Sequence, residues 1–355
     1  MWTKNLGLRA VVALTLVGLI GSAGSGLRGD VDLDDASAGG PIENPSAGTV
    51  TVSTLGIGTV PGEDYASVDG NGTFDTLIVQ NGLNIAEGTL DVLDLGGVGT
   101  LQTFGTQFSG EQVWVGTNEA PPGGVVNVDG GHWTASNWVF YVGYGGDGVV
   151  NVTDEGMLDH LQPVGDERWL HLGLFDGSDA GHGTLNIGAD GTGGEVYANV
   201  VVGVGDADGN GGTGHLEVGD RGVLGDPADP QALRIGSGGG AAGTAVFGAG
   251  SEVNLTHITV GGDGGDGTLT IEGGASVSDA VVHVAGPSTL GRVYLEPGFS
   301  GTFSDVYMRT SSIAQPDAGE AWFELDDADL QVNENFHAQG YRSGVVTIEV
   351  DNGSE

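Results

Sequence analysis

The stretch that decides the fold is GGDGGDGTLTIEGGASV, residues 261–277. A loop of glycine and aspartate precedes Gly267, and the residues after that glycine alternate between apolar and polar. A glycine pair and a second short apolar segment follow. Alternation with a period of two predicts a β-strand that has one apolar face. A strand this short cannot bury its apolar face alone, so it needs neighbours of the same kind.

The same unit recurs along the chain. The motif Gly-x-apolar-polar-apolar begins at Gly88, Gly124, Gly148, Gly183, Gly214, Gly243 and Gly267, at separations of 36, 24, 35, 31, 29 and 24 residues. A second motif, apolar-x-apolar-Gly, precedes most copies and occupies residues 113–116, 140–143, 170–173, 200–203, 233–236 and 258–261. Repeats with this period indicate a solenoid, in which each unit buries its apolar face against its neighbours.

No helical periodicity lies between the short strands, and this favours an all-β parallel β-helix with coils of 24–36 residues. Glycine and aspartate would form the corners, where the backbone needs a positive φ. The alternatives are a β-propeller or a β-sandwich. A propeller blade needs four strands in about 40–45 residues, which the shorter and uneven period here disfavours.

The repeated pattern of apolar-x-Val-Gly, Gly-Asp loop, Gly-Thr-Leu-x-Ile and Gly-Gly-x-Val resembles two families of glycine-rich repeats. These are autotransporter passenger domains and PEP-CTERM-associated surface proteins, and the resemblance covers roughly residues 110–280. It implies an exported, surface-associated, right-handed β-helix, with no catalytic residues to carry over. The sequence departs from both families because it shows neither a membrane barrel nor a sorting tail. We therefore expect that the chain is cut inside a coil and that an anchoring segment is missing.

The first residues predict export. Lys4 and Arg9 precede an apolar run at 10–20 and small residues at 21–23, as in a secretory signal peptide. We therefore divide the chain into a signal peptide at 1–23, a flexible acidic linker at 24–48 and a repeat domain at 49–355. No later segment is long and apolar enough for a membrane span, so the expected location is secreted or cell-surface.

Composition narrows the possible partners. The chain has 48 Asp and Glu against 9 Lys and Arg, for a formal net charge of −39, and it has no cysteine. Such a polyanion does not attract nucleic acid or an anionic membrane. Without cysteine it holds together without disulfides. We expect a monomer whose partner is a polysaccharide or another component of the cell envelope.

The middle residue of each apolar-x-apolar-Gly motif should face away from the core. In chain order these residues are Trp114, Tyr141, His171, Val201, Arg234 and Thr259, and His283 and Tyr294 are expected to continue the column. We predict that Trp114, Tyr141, His171 and Arg234 bind ligand, since flat side chains in a line can contact sugar rings. The alternative is that these side chains stack on one another for structural reasons only.

Two further sets of polar residues stand out. The loop DADGNGGTGHLE at 206–217 matches the spelling of a calcium loop, with Asp206, Asp208, Asn210 and Glu217 as candidate ligands, although strand-like segments flank it instead of helices. The alternative is that this loop is a solvated acidic turn that binds no ion. We therefore expect that the protein requires no cofactor and that calcium is an optional ion. Stacked Asn127, Asn151 and Asn186 are predicted to form an amide ladder.

Motifs for catalysis are missing. The only lysine is Lys4 in the signal, there is no Gly-x-Ser-x-Gly or His-Glu-x-x-His, and the histidines are scattered singly. We therefore expect a structural or adhesive protein and not an enzyme. The alternative is a carbohydrate-active β-helix that cleaves an acidic polysaccharide by lyase or hydrolase chemistry.

Overall fold

A computed structural model describes part of the chain, and its side chains are described mainly from residue 113 onward. The described residues are 31–32, 49–57, 65–69, 76–85, 88–93, 100–104, 113–116, 123–136, 139–160, 169–174, 179–189, 191–206, 209–229, 231–286, 289–309, 319–339 and 345–351. The predicted signal peptide lies outside them. Of the predicted linker only residues 31–32 are described, and they form a short strand paired with Leu55 and Gly56.

All regular elements in the described part are strands. In chain order they are β1 (Val31–Asp32), β2 (Thr49–Ile57), β3 (Tyr65–Asp69), β4 (Thr76–Ile85), β5 (Gly88–Leu93), β6 (Thr100–Phe104), β7 (Val113–Val115), β8 (Gly124–Asp129), β9 (His132–Ser136), β10 (Val139–Tyr144), β11 (Asp147–Thr153), β12 (Met157–His160), β13 (Trp169–Leu174), β14 (His182–Ile187), β15 (Gly194–Tyr197), β16 (Asn199–Val204), β17 (Thr213–Val218), β18 (Gly222–Leu224), β19 (Gln231–Ser237), β20 (Ala242–Phe247), β21 (Glu252–Val253), β22 (Leu255–Gly262), β23 (Asp266–Ile271), β24 (Ser276–Val277), β25 (Ala280–Val284), β26 (Leu290–Leu295), β27 (Ser300–Arg309), β28 (Glu320–Asp326), β29 (Asp329–Gln339) and β30 (Val345–Asp351).

The Gly-x-apolar-polar-apolar motifs form one 11-stranded sheet, which we call the narrow sheet. Its order is β3-β5-β8-β11-β14-β17-β20-β23-β26-β28-β30, and its strand pairs are parallel. The leading glycines pair with one another across neighbouring strands, in the order Gly88, Gly124, Gly148, Gly183, Gly214, Gly243, Gly267 and Gly291. The alignment of the motif glycines in the sequence therefore matches the register in which the strands of the narrow sheet pair.

The remaining 19 strands form the wide sheet, which contains two columns of parallel strands. One column holds the apolar-x-apolar-Gly motifs, in β7, β10, β13, β16, β19 and β22. The other holds the short apolar segments after each narrow-sheet strand, in β9, β12, β15, β18, β21 and β24. Longer strands such as β4 pair with both columns and join them into one sheet. Each repeat between Gly88 and Val284 thus contributes three strands to the stack, whereas a repeat with one long wide-sheet strand contributes two.

The core lies between these sheets and consists of the inward residues of every strand. In the narrow sheet the third and fifth residues of each motif from Gly124 onward are buried; Val126, Leu185 and Phe247, for example, are all 0% exposed. Trp133 and Phe140 fill the core in the wide sheet and are also 0% exposed. Burial of such a side chain stabilises the fold by about 1.5–3 kcal/mol. Each repeat buries its apolar side chains only when the next repeat packs against it.

The glycine that ends each apolar-x-apolar-Gly motif makes a corner with positive φ. At Gly173 φ is +68°, and a Cβ there would lie 1.9 Å from the carbonyl oxygen of Thr213 in the next repeat. Gly143 has φ +74°, and its Cβ would lie 2.3 Å from the backbone of His182. Both the backbone conformation and the close approach of the next rung therefore require glycine at this position.

The described architecture is all-β with parallel sheets and is compatible with a β-helix or another solenoid. Propellers and sandwiches are built from antiparallel sheets, so the parallel pairing of the named strands excludes those alternatives. Among the described residues no helix is long and apolar enough to cross a membrane.

Candidate functional site

The outward column predicted from the sequence lies on the wide sheet, and its members pair in register. In order they are Trp114, Tyr141, His171, Val201, Arg234, Thr259 and His283. The column does not continue to Tyr294, so that prediction is wrong. Its next members are Tyr307 and His337.

Tyr294 lies in β26 of the narrow sheet, in register between Thr270 and Glu324. The reason is that its strand contains Gly291, which is the leading glycine of the narrow-sheet motif. The strand that does continue the column reads Val306, Tyr307 and Met308, and Arg309 follows where the six apolar-x-apolar-Gly motifs have glycine. Ala285 stands at that position after His283, so the glycine marks only the first six members.

At one end of the column the side chains form an aromatic group, which we call the first cluster. The Trp114 and Tyr144 rings are stacked, with centroids 5.8 Å apart and an interplanar angle of 4°. Tyr141 lies 5.3 Å from the Tyr144 ring and 5.3 Å from the His171 ring. Sequence reasoning missed Tyr144, which follows the corner glycine of its motif. The rings cover parts of one another's faces, as the structural alternative expects.

Arg234 is two rungs beyond His171, and Val201 lies between them in the register. Its guanidinium lies over the Trp169 ring, 4.4 Å from the centroid. Sequence reasoning did not identify Trp169, because it precedes the apolar-x-apolar-Gly motif of its strand. Arg234 has no carboxylate within ion-pairing distance in the described part of the chain, where the only ion pair joins Arg221 and Glu155 at 3.2 Å.

Burial dominates the electrostatics of the first cluster. It lowers the pKa of His171 to about 4, with the charges of His160 and Arg234 acting in the same direction. Burial also raises the pKa of Tyr141, and Tyr144 adds to the effect. His171 and Tyr141 are therefore both neutral near pH 7. Two buried nitrogens, Nε1 of Trp114 and Nδ1 of His171, have no hydrogen-bond partner among the described residues.

A second cluster occupies the other end of the column. The Tyr307 ring lies between His283 and His337, with centroid distances of 5.0 and 5.3 Å and interplanar angles of 14° and 5°. The Arg309 guanidinium lies 5.2 Å from the centroid of Tyr307. The Tyr307 hydroxyl donates a hydrogen bond of 3.3 Å to Oδ1 of Asp305. An acid, a phenol and a cation thus meet on one outward surface.

The pKa directions in the second cluster follow from its contacts. The amide of Asn335 donates to Oδ1 of Asp305 at 2.8 Å, and this bond is the main reason that the pKa of the carboxyl is lowered. Desolvation, followed by the charge of Asp305, raises the pKa of Tyr307. Desolvation lowers the pKa of His283, and His257 adds to that effect. Tyr307 therefore stays a neutral phenol near pH 7.

The candidate calcium ligands are divided between a loop and a strand. Asp206 accepts hydrogen bonds from Asn210, at 2.9 Å from its backbone nitrogen and 3.2 Å from its side-chain amide. Glu217 lies on β17, in register with Asn186, roughly 13 Å along the strand from Thr213 at about 3.3 Å per residue. Asp208 lies outside the described residues. In the described part no three His, Asp or Glu side chains form a group that would hold a metal ion, and calcium binding at 206–217 stays a prediction.

The predicted asparagine ladder is present. Asn151 donates to Oδ1 of Asn127 and Asn186 donates to Oδ1 of Asn151, each over 2.8 Å. The bonds run along the stack, perpendicular to the strands, and join three successive repeats. Their contribution is to stability.

Comparison with known proteins adds no family to this description. No protein-family model, no curated protein and no solved structure matches the chain.

Proposed function

We propose that this chain is an exported structural and adhesive repeat protein of the cell surface or extracellular space. The observation that carries the proposal is the outward column, in which seven of the nine register positions from Trp114 to His337 hold an aromatic, imidazole or guanidinium side chain. The other two are Thr259 and Val201, and Val201 is only 4% exposed. Inward apolar residues and the asparagine ladder join repeat to repeat, which suits a stiff rod. The role of the rod is to present this column to a polysaccharide or another envelope component.

The architecture that we propose is a right-handed parallel β-helix with coils of 24–36 residues. Support for the coil length comes from the leading glycines, since Gly124, Gly148 and Gly183 pair in register at that range of separations. Support for the hand comes from a general rule: connections between parallel strands of one sheet are right-handed in about 98% of cases.

The adhesive part is tested by affinity electrophoresis of the purified protein through gels that contain pectin, alginate or a neutral xylan. We expect retardation by at least one of these polymers, and a loss of most of it in the double variant Trp114→Ala, Tyr141→Ala. The matched control is Tyr294→Ala, which removes an outward aromatic ring from the narrow sheet and should leave mobility unchanged. Equal retardation of wild type and double variant would remove the column as a glycan surface.

Export is tested separately in the cells that produce the protein. Mass spectrometry of the mature chain should show cleavage near Ala23, and protease added to intact cells should reach the protein. A chain that retains residues 1–23 inside the cell contradicts the proposed location. This result does not depend on whether any polysaccharide binds.

A second candidate function, cleavage of an acidic polysaccharide, is favoured only by the second cluster. There Tyr307, a neutral phenol bonded to Asp305, is placed to donate a proton to a leaving oxygen, and Arg309 to pair with a sugar carboxylate. Incubation with pectin or alginate, with absorbance and reducing ends recorded, tests for lyase and hydrolase products. We expect none; product formation that disappears in Tyr307→Phe would establish the enzyme instead.

A further inference from the structure

The basic side chains of residues 231–309 are concentrated on one part of the wide sheet, formed by β19, β22, β25 and β27. Residues 231–309 contain seven acids, three arginines and two histidines. The four strands contain four of the five basic residues and only one of the seven acids, Asp305. The fifth basic residue, Arg292, lies in β26 of the narrow sheet. On a chain with a formal net charge of −39, these strands are therefore poor in acids and rich in basic residues.

The outward residues of these strands form what we call the basic stretch. Its members are Arg234, His257, Thr259, His283, Tyr307 and Arg309. Four of them share the register position of the outward column, while His257 lies two residues before that position and Arg309 two residues after it. Arg234, His257 and Arg309 are exposed. Three strand spacings of about 4.8 Å and two residues of about 3.3 Å place the Cα atoms of Arg234 and Arg309 about 16 Å apart.

The one acid of these four strands is withdrawn from the surface. Asp305 is 7% exposed. Its oxygens accept hydrogen bonds of 3.1 Å from Ser304, 3.3 Å from Tyr307 and 2.8 Å from Asn335. Acids that flank the four strands lie in corners or on β29, and examples are Asp263, Asp279 and Glu334. A ligand that approaches the basic stretch therefore meets two exposed guanidinium groups, whereas the carboxylate of the same strands is buried and hydrogen-bonded.

The aromatic rings of the basic stretch turn their edges outward. The Tyr307 ring is stacked between His283 and His337 at interplanar angles of 14° and 5°, so rings of the neighbouring strands cover its faces. The edge of an aromatic ring is the positive part of its quadrupole. Such a surface suits an anion better than it suits the apolar face of a neutral sugar ring.

Both arginines of the basic stretch are seated on aromatic rings. The guanidinium of Arg234 lies 4.4 Å from the centroid of Trp169, and that of Arg309 lies 5.2 Å from the centroid of Tyr307. Among the described residues neither guanidinium takes part in an ion pair. A guanidinium carries its N–H donors in its own plane, in a fork that matches the two oxygens of a carboxylate. Two such forks about 16 Å apart along the stack suit a polymer with repeated carboxylates better than a single small anion.

We propose that the basic stretch binds the carboxylates of a uronic-acid polysaccharide whose chain runs along the stack. Arg234 and Arg309 pair with carboxylates of the polymer, and Thr259 and His283 contact its hydroxyl groups between them. Charge complementarity selects this partner over a neutral glycan. The inference rests on the adhesive function proposed above and names the class of polymer that is bound; it requires no cleavage.

The net charge of the chain sets the conditions under which such a polymer binds. The formal net charge of −39 repels a polyanion at long range. The screening length is about 30 Å in 0.01 M salt and about 10 Å in 0.1 M salt. In the more concentrated salt, acids on the other faces of the stack are therefore screened from a polymer at the basic stretch, while direct contacts with the arginines persist. Binding is accordingly measured in about 0.1 M sodium chloride.

The test compares two polymers that differ only in their carboxylates. Polygalacturonate and its fully methyl-esterified form are immobilised, and binding of the purified protein is followed by biolayer interferometry. We expect wild type to bind polygalacturonate about tenfold more tightly than the ester. The double variant Arg234→Gln, Arg309→Gln should lose most of this preference. The matched control Arg221→Gln, Arg292→Gln removes the same charge outside the basic stretch and should keep the preference.

The outcomes separate this inference from the adhesive function on which it rests. Wild type that binds the ester or a neutral xylan as tightly as polygalacturonate leaves adhesion standing and overturns the inference. A preference that survives in the double variant, or that the control loses equally, also overturns it. Wild type that binds none of these polymers contradicts both. Circular dichroism melting checks that the variants are folded.

A second measurement locates the polymer without removing an arginine. The chain has no cysteine, so a polyethylene glycol maleimide attaches only where a cysteine is introduced. Thr259→Cys lies in the basic stretch, and the control Thr268→Cys lies on the outward face of the narrow sheet. We expect the attached polymer to abolish binding of polygalacturonate at Thr259→Cys and to leave it intact at Thr268→Cys. Equal binding by the two modified proteins would overturn the proposal.

Discussion

The asparagine ladder allows the stability of the stack to be dissected one hydrogen bond at a time. Asn151 is the middle member and takes part in both bonds of 2.8 Å, whereas Asn186 takes part only in the bond to Asn151. A typical hydrogen bond contributes about 1 kcal/mol net. Asn151→Ala should therefore lower the free energy of unfolding by about 2 kcal/mol and Asn186→Ala by about 1 kcal/mol.

The unfolding assay has to allow for the repeat architecture of the protein. A solenoid unfolds repeat by repeat, so a single two-state transition is not guaranteed. Guanidinium unfolding followed by circular dichroism gives the overall change, and native-state hydrogen exchange in β11 gives the local one. The control is Thr268→Ala, which removes an outward side chain of the narrow sheet that makes no side-chain hydrogen bond with a described residue. Equal losses for Asn151→Ala and Asn186→Ala would refute the reasoning that the two bonds act additively.

Three other predictions follow from the corner, the first cluster and the charge. Gly173→Ala should destabilise the fold by several kcal/mol, because its Cβ would lie 1.9 Å from the Thr213 carbonyl oxygen; Gly191→Ala, with φ +80° and open space, should cost only about 1–2 kcal/mol. Chemical unfolding measures both, and similar values would contradict the close-approach argument. The pKa of His171 is lowered from 6.5 to about 4, so the unfolded chain takes up its proton first as the pH falls. Stability present above pH 6.5 should be lost toward pH 4, by on the order of 3 kcal/mol more in wild type than in His171→Phe. A parallel pH dependence of unfolding in the two proteins would rule this out. Millimolar calcium should raise the Tm relative to chelator, and less so in Asp206→Asn; an unchanged Tm in wild type speaks against stabilisation by calcium.

The sequence predicted the register of the narrow sheet because the leading glycine is required by close backbone approach and therefore marks each repeat. The outward column was predictable through His283 for a different reason, since alternation fixes which residue of a strand faces outward. It failed at Tyr294 because alternation does not say to which sheet a strand belongs. Trp169 and Tyr144 were missed because they lie outside the motif and reach the column only through the three-dimensional stacking of neighbouring repeats.

The shared register of the leading glycines has a consequence for how such a chain changes in length. Each repeat contacts its neighbours through equivalent positions, and the leading glycines stay in register although the repeats differ in length. Removing or duplicating one whole repeat therefore leaves the pairing of all the others intact and alters the molecule by one strand spacing, about 4.8 Å. The number of repeats acts as a ruler, and recombination within the gene can adjust the reach of the protein in fixed steps.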